Sequence, residues 1–177
     1  MTDVTITHRP LKPSEAETLH QELKSTPNIL GFTVRELVRM QDVQVAEDNG
    51  VFAGAALTFD LPLGWTEIAA VYVLPRFRGL GLGKGLLHAS WDRATIRERH
   101  IYMLSRNTSV VEWMRGQGMT ISGNPMLAPF AVQIWMPVYM ASRHRWMESL
   151  RKSREIRKCP SMVQGIKKRE AKKSIEA

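Results

Sequence analysis

The sequence has almost no cysteine. Its single one, Cys159, allows no intrachain disulfide and no thiolate zinc site. Long apolar runs are missing too: none approaches the ~20 residues of a membrane-spanning helix. The opening residues, Met1 to Arg9, lack the basic-then-apolar order of a signal peptide. A soluble, cytoplasmic protein without membrane contact is therefore expected. The five histidines, His8, His20, His88, His100 and His144, show no metal-ligand spacing, so no metal is expected. What remains is 177 residues, 44% of them hydrophobic, enough for one compact domain with a core of its own.

Net charge is absent from most of the chain. Residues 1–142 hold 13 basic and 13 acidic residues, while residues 143–177 hold 12 basic and 4 acidic ones. The whole excess of +8 lies in the second segment. The expected organisation is a folded domain over 1–142 and a basic C-terminal tail over 143–177. The tail reads as helical near Arg143–Lys152, with a thin stripe of Trp146, Met147 and Leu150, and as poorly ordered past Cys159-Pro160-Ser161. Such a tail either attracts nucleic acid or ribosomes through unspecific charge or is merely solvated. It lacks the aromatic interleaving of a specific RNA-binding surface.

The body alternates between strand and helix signals. Val4–Thr7 reads as a strand, and Pro13–Ser25 as a helix capped by Ser14 with Glu17 completing a capping box, broken by Pro27-Asn28. A short helix is expected over Val34–Met40. Val43–Ala46, the Asn49-Gly50 turn and Val51–Phe59 read as a hairpin, and Trp65–Leu74 as a third strand of the meander. A helix from about Lys84 to Arg99, a strand over Ile101–Leu104 and a helix over Thr108–Gly116 follow, the last capped by Asn107 or Thr108. Ala131–Met136 reads as a final strand. The pattern is mixed α/β, with an antiparallel meander and a helical crossover.

Between the fourth strand and its crossover helix lies Arg78-Gly79-Leu80-Gly81-Leu82-Gly83-Lys84. Alternating glycines let a backbone pass close to a bulky anion with its amides turned toward it, and the helix beyond adds a positive dipole end. A Walker A loop does not fit, because Gly85 stands where a Ser or Thr should follow Lys84. A dinucleotide fingerprint does not fit either, since Gly79, Gly81 and Gly83 miss its spacing and no second βαβ unit follows.

Val73-x-Pro75 followed by Arg78-x-x-Gly81-x-Gly83 resembles the acetyl-CoA motif of the GNAT superfamily. A frame on Arg76, Gly79 and Gly81 also fits, but the spacing from Val73 favours the first. Downstream, Asn107-x-x-Val110-x-x-Trp113-Met114-x-x-x-Gly118-Met119 is similar to the family's second conserved segment. The resemblance covers roughly residues 3–140. It implies a central, mostly antiparallel mixed sheet of about six to seven strands flanked by helices and splayed at the cofactor cleft. It implies acetyl-CoA as acyl donor and an unread amine, of a small molecule or a protein, as acceptor. By the resemblance, the backbone of Val71, Tyr72 and Val73 pairs with the pantetheine arm. Arg78, Gly79, Leu80, Gly81, Leu82, Gly83 and Lys84 cradle the pyrophosphate, and Asn107 bonds the pantetheine or caps its own helix.

The family's chemistry, direct attack of an amine on the thioester, uses a base, an oxyanion donor and often an acid. The usual acid is a tyrosine in the second motif, and here that position is Met114. Tyr102 and Tyr139 are substitutes for it or core residues. Glu67, in the apolar run before Val71, is the candidate general base, or else a strand-end carboxylate in solvent or in an ion pair. The Val73 amide is the expected oxyanion donor. Met114 also admits a different reading, an acyl-CoA-binding module without turnover. Association of two copies is left open.

Overall fold

In the computed structural model, described for residues 3–26, 29, 31–157 and 161–169, seven strands form one sheet in the order β1-β2-β3-β4-β5-β7-β6. The elements run β1 (Val4–His8), α1 (Pro13–Ser25), α2 (Val34–Arg39), β2 (Val43–Asp48), β3 (Val51–Leu61) and β4 (Trp65–Val73). Then come α3 (Leu82–Ile96), β5 (His100–Ser105), α4 (Thr108–Gly116), β6 (Thr120–Ser122), α5 (Phe130–Met140), α6 (Arg143–Ile156) and β7 (Val163–Lys167). Only the β4–β5 pair is parallel, because α3 crosses between them; every other pair is antiparallel. The mixed sheet flanked by helices is the expected fold class.

Apolar residues leave the sheet on both faces. On one, Leu19, Leu23, Phe32 and Leu37 from α1, α2 and the segment between them bury Val43, Val45, Leu57, Ala70 and Tyr72. Farther along that face, Ala131 and Val132 of α5 cover Leu61, Trp65 and Tyr102. On the other face α3 sets Leu82 and Leu86 on Ala46, Ala53 and Ala56. Leu87, Met114 and Met119 there enclose Ile68, Ile101 and Met103.

One register shift organises β4. Leu57 pairs with Ala70 and Thr58 with Ile68, so Ala69 has no partner on β3: it is the extra residue of a β-bulge. The bulge reverses the alternation of side chains. Before it, Ile68 points to the α3–α4 face; after it, Val71 and Val73 do, while Ala70 and Tyr72 turn to α1. Pairing of β4 with β5 also ends there, at Ile68–Met103, although β4 continues five residues to Val73.

Several sequence expectations are corrected. Ala131–Met136 is helical, part of α5, and not a strand. An apolar run without polar alternation fits a buried helix as well as a strand, and β-branched composition tipped the reading the wrong way. The charged segment past Ser161 is not poorly ordered throughout: Val163–Lys167 is β7, seated between β5 and β6. Its five residues with an internal glycine and basic flanks hid a strand whose Gln164 is nevertheless buried. The short β6 was not foreseen. Helix α1 starts at Pro13 with Lys12 as N-cap, where Glu15 Oε2 accepts from the Lys12 amide at 2.8 Å, so Ser14 and Glu17 form no capping box. Helix α3 starts two residues earlier than expected, at Leu82. The proposed breaker Pro27-Asn28, Cys159 and the last residues, 170–177, lie outside the described residues.

Helix α6 covers the expected Arg143–Lys152 and runs on to Ile156, but its setting is not the predicted one. It buries Arg145, Glu148 and Lys152 and exposes Trp146, Met147 and Leu150. Lys152 Nζ donates to the carbonyls of Leu23 and Ile29, both at 2.7 Å, and Arg145 pairs with Glu36 at 2.9 Å. These bonds tie α6 to the ends of α1 and α2 and satisfy the buried charges.

Two substitutions probe this architecture. A Cβ on Gly54 would strike the Tyr72 carbonyl oxygen, a backbone atom that cannot yield. Gly54→Val is expected to cost about 2–3 kcal/mol in urea denaturation. A chain ending at Arg157 loses β7, uncovers Met114 and Met119 and opens the edges of β5 and β6. It is expected to lose its cooperative thermal transition by circular dichroism; a sharp, unshifted transition would contradict the placement of β7.

Candidate active site

Beyond Ile68 and Met103, β4 and β5 diverge, and a cleft of about 500 Å³ opens between them. Ile68 to Val73 form one wall, and Met103 to Asn107 the other. Thr26, Ile29, Leu87, Val110 and Arg78 complete it. The Leu74 amide donates to Ala53 O on β3 at 2.9 Å. By strand alternation the Tyr72 backbone also faces β3, and the polar groups of Val71 and Val73 face the cleft. One wall of the cleft is thus an unpaired strand edge, which an extended amide-bearing chain can extend.

The glycine loop stands at the mouth. Gly79 and Gly81 have φ of +85° and +75°, left-handed values that glycine alone adopts without strain. Gly81 is the N-cap of α3 and has no side chain to cap it. The first intrahelical bond there is Gly85 N to Gly81 O at 3.0 Å, so the Leu82, Gly83 and Lys84 amides are left for an anion. The side chains of the loop go elsewhere. Leu82 is buried under the sheet, and Leu80 and Lys84 are exposed. Arg78 folds back over the end of β4: its Nε donates to Val73 O at 3.3 Å and its Nη2 to the Tyr72 hydroxyl at 3.2 Å. The Tyr72 hydroxyl in turn donates to Glu22 at 2.6 Å.

Of the residues singled out in the sequence, Val71, Tyr72, Val73, Arg78 and Asn107 line the cleft. The Tyr72 ring belongs to the first core, 7% exposed, so only its neighbourhood of the cleft counts. Asn107 caps α4, its Oδ1 accepting from Ser109 N at 2.9 Å, and its amide nitrogen donates to none of the described residues. Gly79 to Lys84 form the turn and helix start beside the cleft without lining it. Thr26, Ile29, Leu87 and Arg106 were missed. They are joined only by tertiary packing, and no local spacing marks them.

Glu67 does not line the cleft. It pairs across β4 with Phe59 on one side and Tyr102 on the other, one residue before the strands part. It is half-buried, and no described residue bonds it. Desolvation alone pushes its carboxyl up to about 7. Tyr102 is held at 2% exposure with its hydroxyl donating to Gln164 at 3.3 Å, and burial followed by the Glu67 charge pushes its phenol up. Tyr139 is pushed up to about 12, mainly by burial, and carries the Arg145 guanidinium 3.8 Å over its ring. Neither tyrosine lines the cleft. Met114 is fully buried among Val111, Met103 and Met119.

The model of the acetyltransferase (GNAT) family matches residues 14–119, more than half of the chain, and spans the loop and both walls of the cleft. The chain belongs to the GNAT acetyltransferase family. Among solved structures, N-acetylglutamate synthase from Neisseria gonorrhoeae, in complex with coenzyme A and N-acetyl-glutamate, superposes with a TM-score of 0.66 at 17% identity. That match covers 95% of this GNAT chain but only 35% of the synthase. Rv2747 from Mycobacterium tuberculosis, solved with CoA, gives 0.62 at 17% identity over 90% of this chain and 97% of its own. The ribosomal-protein-S18-alanine N-acetyltransferase of Escherichia coli gives 0.61 at 14% identity over 98% and 99%. At these identities the likeness carries the GNAT fold. No curated protein matches the chain.

The Glu67 carboxyl makes stability depend on pH. Its folded value of about 7 lies above the ordinary 4.5, so the folded state holds the proton more tightly than the unfolded chain. Stability is then full below the ordinary value and falls as pH rises through the folded one, by up to about 3 kcal/mol. Glu67→Gln is expected to flatten that decline and to be the more stable protein at pH 8, as read by urea midpoints from pH 4 to 8.

Proposed function

We propose that this protein is an acetyl-CoA-dependent N-acetyltransferase that binds its donor in the β4–β5 cleft. The observation that carries the reading is the parting of two strands beside a glycine loop whose helix amides point outward. Pantetheine is read as adding to the free edge of Val71 and Val73, with the Asn107 amide donating to it. The Gly79–Lys84 backbone is read as holding the pyrophosphate, with Arg78 and Lys84 supplying positive charge nearby.

In the reaction the amine nitrogen attacks the thioester carbonyl. The new C–N bond forms, the C–S bond breaks and the thiolate departs with coenzyme A. The nitrogen's proton goes to Glu67, directly or through water, and the Val73 amide serves the oxyanion. A carboxylate titrating near 7 suits this task, since a substantial fraction is ionised at neutral pH and that fraction is basic enough to take a proton. No acid assists the leaving group in this scheme. An ordinary thiol titrates near ~8.5, so the thiolate leaves without one.

Gly81→Glu is expected to weaken acetyl-CoA binding at least about 100-fold by calorimetry, through a strained left-handed position and a carboxylate beside phosphate. Undiminished affinity would overturn the placement of the donor. The wild-type rate is expected to rise with pH through an apparent value near 7, and Glu67→Gln is expected to lose that limb, with its largest deficit above pH 7. Donor binding with no thiol release for any amine would favour a binding module, the reading that Met114 motivates.

A further inference from the structure

A second cavity, of about 520 Å³, lies on the opposite face of the sheet, between the β5–β7 strands and α5. Leu104, the residue after the last β4–β5 pair, lines both this pocket and the coenzyme cleft, so both border the point where β4 and β5 part. Tyr102, the β5 partner of Glu67, lines it as well. A pocket at this place is positioned to hold whatever meets the donor's reactive end from the other side of the sheet.

Its chemistry is selective. Among the described residues no charged side chain lines it, and methionine supplies three of its walls, Met126, Met136 and Met162. The polar side chains that do reach it are already engaged. Tyr102 donates to Gln164 Oε1 at 3.3 Å, and Gln164 Nε2 donates to Asn124 O at 2.6 Å. Gln133 Nε2 donates to Ala128 O at 2.8 Å, and Ser122 Oγ accepts from Asn124 N at 3.0 Å. A carboxylate, ammonium or guanidinium placed there would lose its water and gain no charged partner among the described residues, only the Ser122 hydroxyl and Gln133 Oε1. The rim is apolar too, with Met126 78% and Met162 39% exposed. Unbranched thioether side chains adapt to apolar shapes of different length.

We propose that the acceptor is a small primary amine bearing an alkyl or arylalkyl group, and that this group occupies the α5 pocket with the nitrogen toward the β4–β5 parting. This rests on the acetyltransferase reading and adds the class of acceptor. Apolar contact with α5 and β5 supplies the affinity, and a described lining without counter-charge disfavours amino acids and polyamines.

The test is thiol release from acetyl-CoA with butylamine, hexylamine, octylamine and phenethylamine, set beside glutamate, spermidine and a tripeptide beginning with methionine. kcat/KM is expected to rise about 3-fold per methylene along the alkyl series. Glutamate and spermidine are expected to fall at least about 10-fold below hexylamine. Ala128→Trp, which fills the pocket, should abolish the chain-length dependence and leave the acetyl-CoA Kd unchanged. Should that variant fail to bind acetyl-CoA, Met136→Gln replaces it, with hexylamine turnover reduced at least about 5-fold and the Kd preserved. A flat alkyl series, or preference for glutamate, spermidine or the peptide, overturns the acceptor class while the transferase stands. Donor binding with no thiol release from any amine overturns the transferase reading, and the acceptor class with it.

Discussion

One unpaired residue sets the geometry on which everything else depends. Ala69 is extra on β4, and a strand carrying an extra residue twists more sharply and swaps its faces. Without it Val71 and Val73 would follow Trp65 and Glu67 onto the α5 face, and the β4–β5 ladder could run on toward Val73. With it, the upstream half of β4 sends Trp65 and Glu67 toward α5, and the downstream half sends Val71 and Val73 toward α3. A single strand thereby offers a carboxylate on one face and, a few residues on, a free backbone edge beside α3. On the proposed reading, separation of the two faces by one bulge would let a donor and an acceptor approach from opposite sides of a sheet.

The parting of β4 and β5 leaves β5 needing a partner on its far side, and β7 is that partner. It pairs with all of Ile101–Ser105 and carries β6 beyond it. The fit is close: a Cβ on Gly165 would sit 2.6 Å from Met114 Sδ and 3.1 Å from Met119. Between β6 and β7, which a tight turn could join, the chain instead inserts α5 and α6. Those helices roof the Glu67 face. Helix α6 is held by charge turned inward and leaves Trp146, Met147 and Leu150 in solvent, the reverse of an ordinary surface helix. Arg145 shows why the inversion is tolerated: it stacks on Tyr139 and Phe32 and pairs with Glu36, so its charge is met although its Nε has no hydrogen-bond partner among the described residues.

How far the sequence revealed this follows from the kind of signal involved. Asn49-Gly50, the Gly79–Gly83 alternation and the Asn107 cap are local: each states a backbone requirement in a few residues, and each stands where it was expected. The bulge at Ala69 is invisible in Ile68-Ala69-Ala70-Val71, because a two-for-one register belongs to the pair of strands and not to either one. Residues 131–136 were misread because a segment with the single polar residue Gln133 has no period to detect, and β7 was hidden because basic flanks outweighed five strand residues. Charge composition proved the weakest guide. The excess of 143–177 does not mark the region as solvated, since Arg145 and Lys152 are among its buried residues and Gln164 holds a place in the sheet.

Met114 illustrates the same separation of grip from chemistry. Its side chain is wholly buried and supports Gly165 of β7, so the position serves the sheet and does not face the cleft. A phenol there would have to bring a hydroxyl into an apolar cluster of Val111, Met103 and Met119 and find it a partner. The packing around β7 therefore excludes an acid at this point as firmly as the sequence does. The parts proposed to bind the donor, a strand edge and helix-end amides, are backbone and indifferent to that loss. What the proposed reaction leaves to side chains is the amine's proton, and Glu67, bonded by no described residue, is the group whose ionisation is shifted by desolvation alone. An apolar amine entering beside it would deepen that desolvation, and so would make the carboxylate a stronger base at the moment the nitrogen needs one.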